Sequence, residues 1–517
     1  MKTAVVIGAG HNGLIAAFHL AKAGLKPTVL EARDDVGGGA ITGEIHPGFR
    51  CPTLTHEVLL QRDIVRDMAL ARHGLELLHT SVETVALSPA GALVIDEDGQ
   101  RTQQSIRSFS SKDAAVFTDF RTAITRTASV LASAFRYAPP RIDTPAASDL
   151  LNLLKTARAF RSLGRRDARR LLRWGPMAVA DLVDEWFESD LVRAMVAASA
   201  LTGTMLGPRS AGSALVLLMR DAHRQLAGGS MRARGGPGAV TRALASAARA
   251  AGADIRTSVS VDQIVVRNGE TRGVVASGKT IEADLVISSA DPKTTFLKLV
   301  TPTDLTPEFA TKIQNYRASG TVAKVNLALA SLPSFGCAPE ALAGRIHIGP
   351  DLDYLERAFD HVKYGEQSAQ PWLEVTLPSV LDRTLAPADA HVASVYVHYA
   401  PYRLRASDWN AAKNALLQAT LDVLERHAPG LRAAVVAAQV ITPHDMEHEY
   451  RFFGGHIFHG ELALDQLFTM RPLLGFARYA TPIRRLYLCG AGTHPGGFMT
   501  GASGRLAARE ALSAAEI

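Results

Sequence analysis

The sequence predicts an α/β fold of the Rossmann type, on three observations. An apolar run over residues 3–7 (TAVVI) ends in the turn Gly8-Ala9-Gly10-His11-Asn12-Gly13 and leads into helical apolar spacing over 12–23. A second short run, Pro27 to Leu30, ends on Glu31 and completes a βαβ unit. At the other end of the chain, residues 485–489 (RLYLC) read as a strand, followed by a glycine-rich turn and a helix to about Leu512. Two glycine-rich strand-to-helix turns so far apart imply that the ends of the chain fold together.

The first turn has the parts of a phosphate cradle. Gly8 allows the tight turn, Gly10 removes a side chain that would block a pyrophosphate, and Gly13 lets the helix pack closely on the strand. Ala9 and Asn12 sit between them, at a helix start whose free N–H groups face an anion. Glu31 is placed to accept from both hydroxyls of a ribose and to repel a 2′-phosphate. Beyond it come Ala32 and Arg33, the latter within reach of a phosphate, and then Val36-Gly37-Gly38-Gly39-Ala40. A second glycine cluster lets the chain pass close to a bulky ligand. A nicotinamide site has no need of it, so the expected cofactor is FAD. The last turn, Leu486 to Gly501, includes Gly490, Gly497, Phe498 and Met499. A helix start there can aim N–H groups at a flavin carbonyl that gains negative charge on reduction.

Between these ends, VETVALSPAGALVIDE (82–97) reads as a strand pair turning at Ser88–Gly91. Residues 111–225 are mainly helical. A Gly-Gly-Pro-Gly turn at Gly235 opens a helix to about Ala251. Strands follow at 259–266, 272–276 and 281–288, alternating strand-period segments at 322–329, 371–377 and 392–399, and a helix over 410–427. The expected architecture is a discontinuous FAD domain (1–100, 231–300 and 475–517) with an inserted α+β substrate, or cap, domain (101–230 and 301–474).

The bulk numbers agree with a two-domain protein. The chain has 517 residues, more than one compact core supports. Its 47% hydrophobic and 21% charged residues are ordinary for a globular chain. A net charge of +6 over this length is a mild bias that implies no nucleic-acid partner. Cys51, Cys337 and Cys489 are far apart with no C-x-x-C, which argues against a disulfide framework, a zinc site or a dithiol relay and fits a reducing, cytoplasmic setting. Lys2 and the apolar residues after it superficially suggest a signal peptide, but glycines interrupt the run and no clean cleavage site follows. No uninterrupted apolar stretch reaches membrane-spanning length.

Several longer segments carry a family resemblance. They are the first turn through Pro47–Phe49, DLVDEWFESD (Asp181–Asp190), GGPGAV (Gly235–Val240), GGHIFHGEL (Gly454–Leu462), and LYLCGAGTHPGG with GASGR (Leu486–Arg505). On these the chain resembles the phytoene desaturase family of flavoproteins, most closely its pyridine nucleotide-disulfide oxidoreductase domain-containing branch. The resemblance covers most of the chain and implies a glutathione reductase- and amine oxidase-like fold. It also implies that the Val259 backbone lies against the adenine, Ser289 and Ala290 near the pyrophosphate, and Phe498 and Met499 under the flavin pyrimidine. Gly39 departs from the family's G-G-R-A, where arginine is usual, and Gly497-Phe498 stands where the related branch is richer in glycine.

For the chemistry, His456 and His459 in GGHIFHGELALDQLF, with Glu461 and Asp465 after them, are the candidates. They could act as acid–base or orienting groups at a cavity, or bond internally to hold a loop. His11 sits inside the cradle, and His56 follows the second glycine cluster, where it could approach the flavin. No metal is expected, because the two histidines lack a third ligand. The basic run Lys155–Arg173, with Asp167 its only acid and Phe160, Leu163, Leu171 and Leu172 as an apolar face, is either a solvated helix or a membrane-surface helix delivering a lipophilic substrate. The expected activity is that of an FAD-dependent dehydrogenase or desaturase acting on an apolar or weakly polar small molecule. A flavin amine oxidase, with Tyr479 as one wall, and a flavin-binding assembly protein are the alternatives. The cavity is expected between the FAD sheet and the strands at 322–329, 371–377 and 392–399, mostly apolar and roofed by the helices of 111–225.

Overall fold

A parallel sheet of five strands joins the two ends of the chain. In the computed structural model its order is Leu486–Leu488, Leu285–Ser288, Thr3–Ile7, Lys26–Leu30, Asp254–Arg256, with every neighbouring pair parallel. The structure describes residues 2–141 and 145–514. Residue 1, residues 142–144 and residues 515–517, the last three closing the expected 475–517 segment, lie outside the described residues. Leu285–Ser288 is buried along its whole length and Thr3–Ile7 along all but its first residue, as a sheet covered on both faces requires. The helices His11–Lys22, Gly236–Ala250 and Ala502–Ala514 pack together beside it.

The expected strand over 281–288 is two strands. Lys279–Glu282 closes an antiparallel meander with Val261–Arg267 and Glu270–Ala276, and Leu285–Ser288 joins the parallel sheet. The break falls at Asp284, whose carboxylate accepts from the Thr3 backbone N–H at 2.7 Å.

A second sheet has seven strands in the order Val435–Ile441, Val322–Leu329, His391–His398, Trp372–Thr376, Arg345–Ile348, Val82–Ser88, Gly91–Asp96. The hairpin over 82–96 therefore belongs to this sheet and not to the parallel one, although the expected boundary at residue 100 put it with the first unit. Val85 and Leu87 pack into this sheet's core, and Arg345–Ile348 pairs alongside in parallel. The strand periodicity at 322–329, 372–376 and 391–398 is real, yet all three strands are buried on both faces. One face carries Val325, Leu327, Leu373, Val375, Val395 and Val397, packed near the helix Trp409–His427. The other carries Lys324, Asn326, Glu374, Ser394 and Tyr396, all buried. A buried polar face must be satisfied internally, and this one forms part of the site.

The described residues of 111–225 are mainly helical, from Ser111–Ala134 to Ser213–Ala227, and Ser110 caps the first of these helices by accepting from the Asp113 N–H. Among the described residues, no helix is long and apolar enough to cross a membrane, and no cluster of metal-binding side chains occurs.

Candidate flavin and substrate site

The first glycine turn separates its roles by geometry. Gly8 holds φ +90°, a conformation that only glycine adopts cheaply. A β-carbon at Gly13 would collide with the Gly8 carbonyl oxygen, so this glycine sets the helix against the strand. Gly10 differs from both. Its φ of −68° suits any residue, and an added β-carbon would meet no protein atom closer than 3.7 Å. Gly10 faces the cavity, and a side chain there would fill the cradle. The helix His11–Lys22 has no side-chain cap and no acid in its first turn, leaving its N-terminus to an anion. Ala9 does not line the cavity. Its N–H donates to Glu31 Oε2 at 2.7 Å, while Arg33 N–H donates to Oε1 at 3.0 Å. Glu31 is thereby fixed on the cavity wall with lone pairs to spare for ribose hydroxyls.

One cavity, with about 1600 Å³ of space free of protein atoms up to and including its open mouth, runs from this cradle into the molecule. The glycine turn lines one part of it and the polar face of the seven-stranded sheet another, which suits a dinucleotide with a substrate beyond it. Asn12, Ala32, Arg33, Gly38, Gly39, Ala40, Ser289 and Ala290 line it near the cradle, and Ala491, Phe498 and Met499 come from the C-terminal turn. Gly490 and Gly497 stand behind that wall. A β-carbon at Gly490 would press on the Ser289 carbonyl, and Gly497 N–H donates to the Ala491 carbonyl at 3.2 Å. Val259 is also one layer back, its N–H donating to the Glu31 carbonyl at 2.8 Å, and Val261 lines the cavity in its place.

The loop GGHIFHGEL lies against the C-terminal turn, fastened by a residue that no motif signals. Arg471 is fully buried, with no carboxylate partner among the described residues. It donates to the carbonyls of Glu461, Phe458 and Ala491, each at 2.9 Å. His459 and Phe498, which face the cavity here, both hold left-handed backbone, with φ of +56° and +52°. Such strain, of order 1–3 kcal/mol each, persists where the surroundings over-determine it. Burial, with the Arg471 charge adding to it, holds His459 down to about 4 and His456 down to about 3, so both rings are neutral at pH 7. His456 does not line the cavity; its Nδ1 accepts from the Phe458 N–H at 3.1 Å. Glu461 and Asp465 both pair with Arg317.

Where the helical layer meets the polar face of the seven-stranded sheet, the wall becomes charged. Arg220 Nη2 lies 2.9 Å from Glu57, and Glu374 bonds His56 Nε2 at 2.9 Å and Arg345 Nη1 at 3.2 Å. Burial opposes ionisation of Glu374, yet Arg345, His56 and Arg220 outweigh it and hold the carboxyl well below the usual range. His56 stands behind this wall, against Lys324 and the Tyr396 ring, rather than at the flavin turn.

Comparison with known proteins agrees with this geometry. A model of the flavin containing amine oxidoreductases matches residues 90–512, and one of NAD(P)-binding Rossmann-like domains matches residues 6–68. The chain belongs to the flavin containing amine oxidoreductase family. It is 36% identical to pyridine nucleotide-disulfide oxidoreductase domain-containing protein 2 of Rattus norvegicus, over 98% of this chain and 92% of that one. It is 26% identical to the lycopene-forming phytoene desaturase of Pantoea ananas, over 99% of both. In fold it is similar to the crystal structure of an oxidoreductase from Methanosarcina mazei, with a TM-score of 0.63 at 16% identity over 99% of this chain and 100% of that one.

As a member of this family the chain is an FAD-dependent oxidoreductase, and the cradle fits that cofactor on its own geometry. The Gly8–Gly13 turn would hold the pyrophosphate and Glu31 the ribose, with the Phe498–Met499 turn beside the flavin ring. No thiol stands ready to relay electrons. All three cysteines are free, and burial raises Cys51 to about 12 and Cys489 higher still. Tyr479 is fully buried, donates to the His494 carbonyl at 3.0 Å and is not a cavity wall.

Proposed function

We propose that this oxidoreductase is a dehydrogenase or desaturase of a small molecule whose reacting carbon is apolar or weakly polar. One observation carries the reading. The cradle, the flavin turn and the polar face of the seven-stranded sheet line a single cavity, so cofactor and substrate share it without a relay group between them. When bound, FAD would supply the two-electron acceptor, at its N5, for the hydride of a substrate C–H. The protein's part is to hold that bond in place and exclude water, and Leu54, Leu59, Ile457 and Phe458 form the apolar lining that does so. His459, neutral and on the cavity wall, is the group we assign to orienting the substrate or accepting the proton from the neighbouring carbon. His456 holds the loop. The Pantoea relative's name supports C–C dehydrogenation. Amine oxidation is the second reading; Tyr479, its expected wall, does not line the cavity, although Tyr396, Phe458 and Phe498 do.

The division into a discontinuous cofactor unit and an inserted substrate unit is part of this proposal, with the hairpin over 82–96 moved to the substrate unit. So is peripheral membrane contact through the helices Ala147–Ser162 and Gly164–Trp174. They expose Leu150, Leu151, Leu153, Leu154 and Leu172 beside Lys155, Arg158 and Arg161. The test of function is anaerobic exposure of the FAD-loaded enzyme to fatty acids, isoprenoid hydrocarbons and primary amines. Bleaching by a C–H donor is expected. Bleaching by amines alone would replace this reading with amine oxidation, and bleaching by none would end it.

A further inference from the structure

The charged part of the cavity wall is more than a hydrocarbon substrate calls for. Thr202, Arg220, Glu57, Glu374 and Tyr396 line the cavity there. The charges on and behind this wall do not balance. Arg220 on the wall and Arg345 and Arg232 behind it share two carboxylates, Glu57 and Glu374, and Lys324, which burial pushes down to about 7, adds a part-charged amine. Glu57 is engaged by Arg220, and Glu374 by both His56 and Arg345. Among the described residues Arg232 has no carboxylate within ion-pair distance; its Nη1 donates to the His56 carbonyl at 3.4 Å. Lys324 likewise has none, with His56 Nδ1 at 3.1 Å and the Ser394 hydroxyl as its neighbours. Buried charge without a counter-charge is costly, and a ligand of opposite sign would supply one.

The hydrogen-bonding capacity points the same way. Thr202 Oγ1 is buried, lies on the cavity wall and has no partner among the described residues. The Tyr396 hydroxyl is beside Thr55, on the same wall. Arg220 uses one nitrogen on Glu57 and another on the Ser199 carbonyl, and its five N–H groups are not exhausted by them. The Arg220 N–H groups left over are donors only, and the Thr202 and Tyr396 hydroxyls can donate to an anion as well as accept. A carboxylate takes up the guanidinium donors and the hydroxyls together, whereas an ammonium group is repelled by Arg220 and the guanidinium groups behind it.

We propose that the wall at Arg220, Thr202 and Tyr396 binds the carboxylate of an amphipathic substrate, whose hydrocarbon part lies along Leu54, Leu59, Ile457 and Phe458 towards Phe498. This rests on the reading of the cavity as the oxidoreductase's substrate site and narrows the substrate to a carboxylic acid. The carboxylate anchors one end of the molecule and thereby sets which carbon reaches the flavin turn.

The test is calorimetric titration of the FAD-loaded enzyme at neutral pH with octanoate, 1-octanol and octylammonium, which differ only in their head groups. Octanoate should bind about tenfold or more tighter than the other two, as a charge-assisted hydrogen bond predicts. Thr202→Val should weaken octanoate by about fivefold, the loss of one hydroxyl donor, and leave octanol unchanged. Arg220→Gln combined with Glu57→Gln removes both charges of the pair without stranding either, and should abolish the preference for octanoate. Equal or tighter binding of octanol or octylammonium to the unaltered enzyme would overturn the head-group assignment and leave the oxidoreductase reading standing. A preference that survives both variants would overturn it too. If none of the three binds, while other compounds still bleach the flavin anaerobically, the carboxylate proposal alone falls. If nothing binds or bleaches, the substrate site itself has been misplaced.

Discussion

At the scale of single residues, the site depends on a few groups whose positions are set by backbone bonds. Glu31 is the clearest. Its two oxygens accept from the N–H groups of Ala9 and Arg33, so it braces the cradle as well as facing the ribose. Glu31→Ala should therefore weaken FAD retention by about 1–3 kcal/mol, measured by equilibrium dialysis, without conferring use of NADPH. Unchanged retention would mean the ribose is held elsewhere. The two histidines should separate in the same way. His459→Ala is expected to slow flavin reduction at full FAD occupancy, because this ring lines the cavity. His456→Ala is expected to lower the yield of folded protein, because its Nδ1 ties down the Phe458 N–H. Stopped-flow reduction rates and soluble yields of the two variants check this, and a swapped pattern would reverse the assignment.

At the scale of elements, the helices Ala147–Ser162 and Gly164–Trp174 differ from what their sequence suggests. The apolar face expected from Phe160, Leu163, Leu171 and Leu172 is split: Leu163 is buried, Phe160 and Leu171 are half-buried, and Leu172 is exposed. The exposed apolar surface is instead the leucine group at 150–154, just before the basic run. If this surface meets a membrane, Leu151→Asp with Leu154→Asp should abolish sedimentation with anionic vesicles and leave flavin content unchanged. Sedimentation of the double variant at the parent level would refute membrane contact through this surface. The parallel sheet and its turns were legible in the sequence because short buried strands between glycines have few other readings. The polar face of the seven-stranded sheet was not. Lys324, Glu374 and Tyr396 alternate with apolar residues as they would on a solvent-facing strand, and only the tertiary packing turns that face inward. The strands Arg345–Ile348 and Val435–Ile441 were missed for a related reason, being short or bounded by no glycine signal. Arg471 was invisible because its partners are backbone carbonyls, which leave no mark in a sequence.

At the scale of the whole molecule, burial of neutral histidines makes the fold sensitive to acid. Burial holds His11, His223, His398, His456 and His494 down to about 3. It holds His19, His56, His347 and His459 down to about 4. Each folded value lies below the ordinary 6.5, so between the two the unfolded chain binds more protons than the folded one. The stability these groups contribute is present above pH 6.5 and is lost as pH falls through the folded values, at about 1 kcal/mol per histidine one pH unit below 6.5. Lys324, pushed down to about 7 by burial from its ordinary 10.5, adds a gain as pH rises from 7 towards 10.5. The melting temperature of the FAD-loaded protein should therefore drop steeply from pH 6.5 to 4, and a flat profile there would show that these rings are not buried neutral.

The cofactor site joins the scales, since it needs single glycines, two strand-to-helix turns and both ends of the chain at once. The most direct measurement is the identity and amount of flavin released on denaturing the purified protein and its Gly10→Val variant, each first shown to be folded by circular dichroism. A β-carbon at Gly10 meets no protein atom closer than 3.7 Å and the backbone there suits any residue, so the variant should fold while its valine fills the cradle. The account predicts about one FAD per chain from the parent and little or none from the folded variant. FMN or no flavin from the parent, or full FAD occupancy in the folded variant, would contradict it.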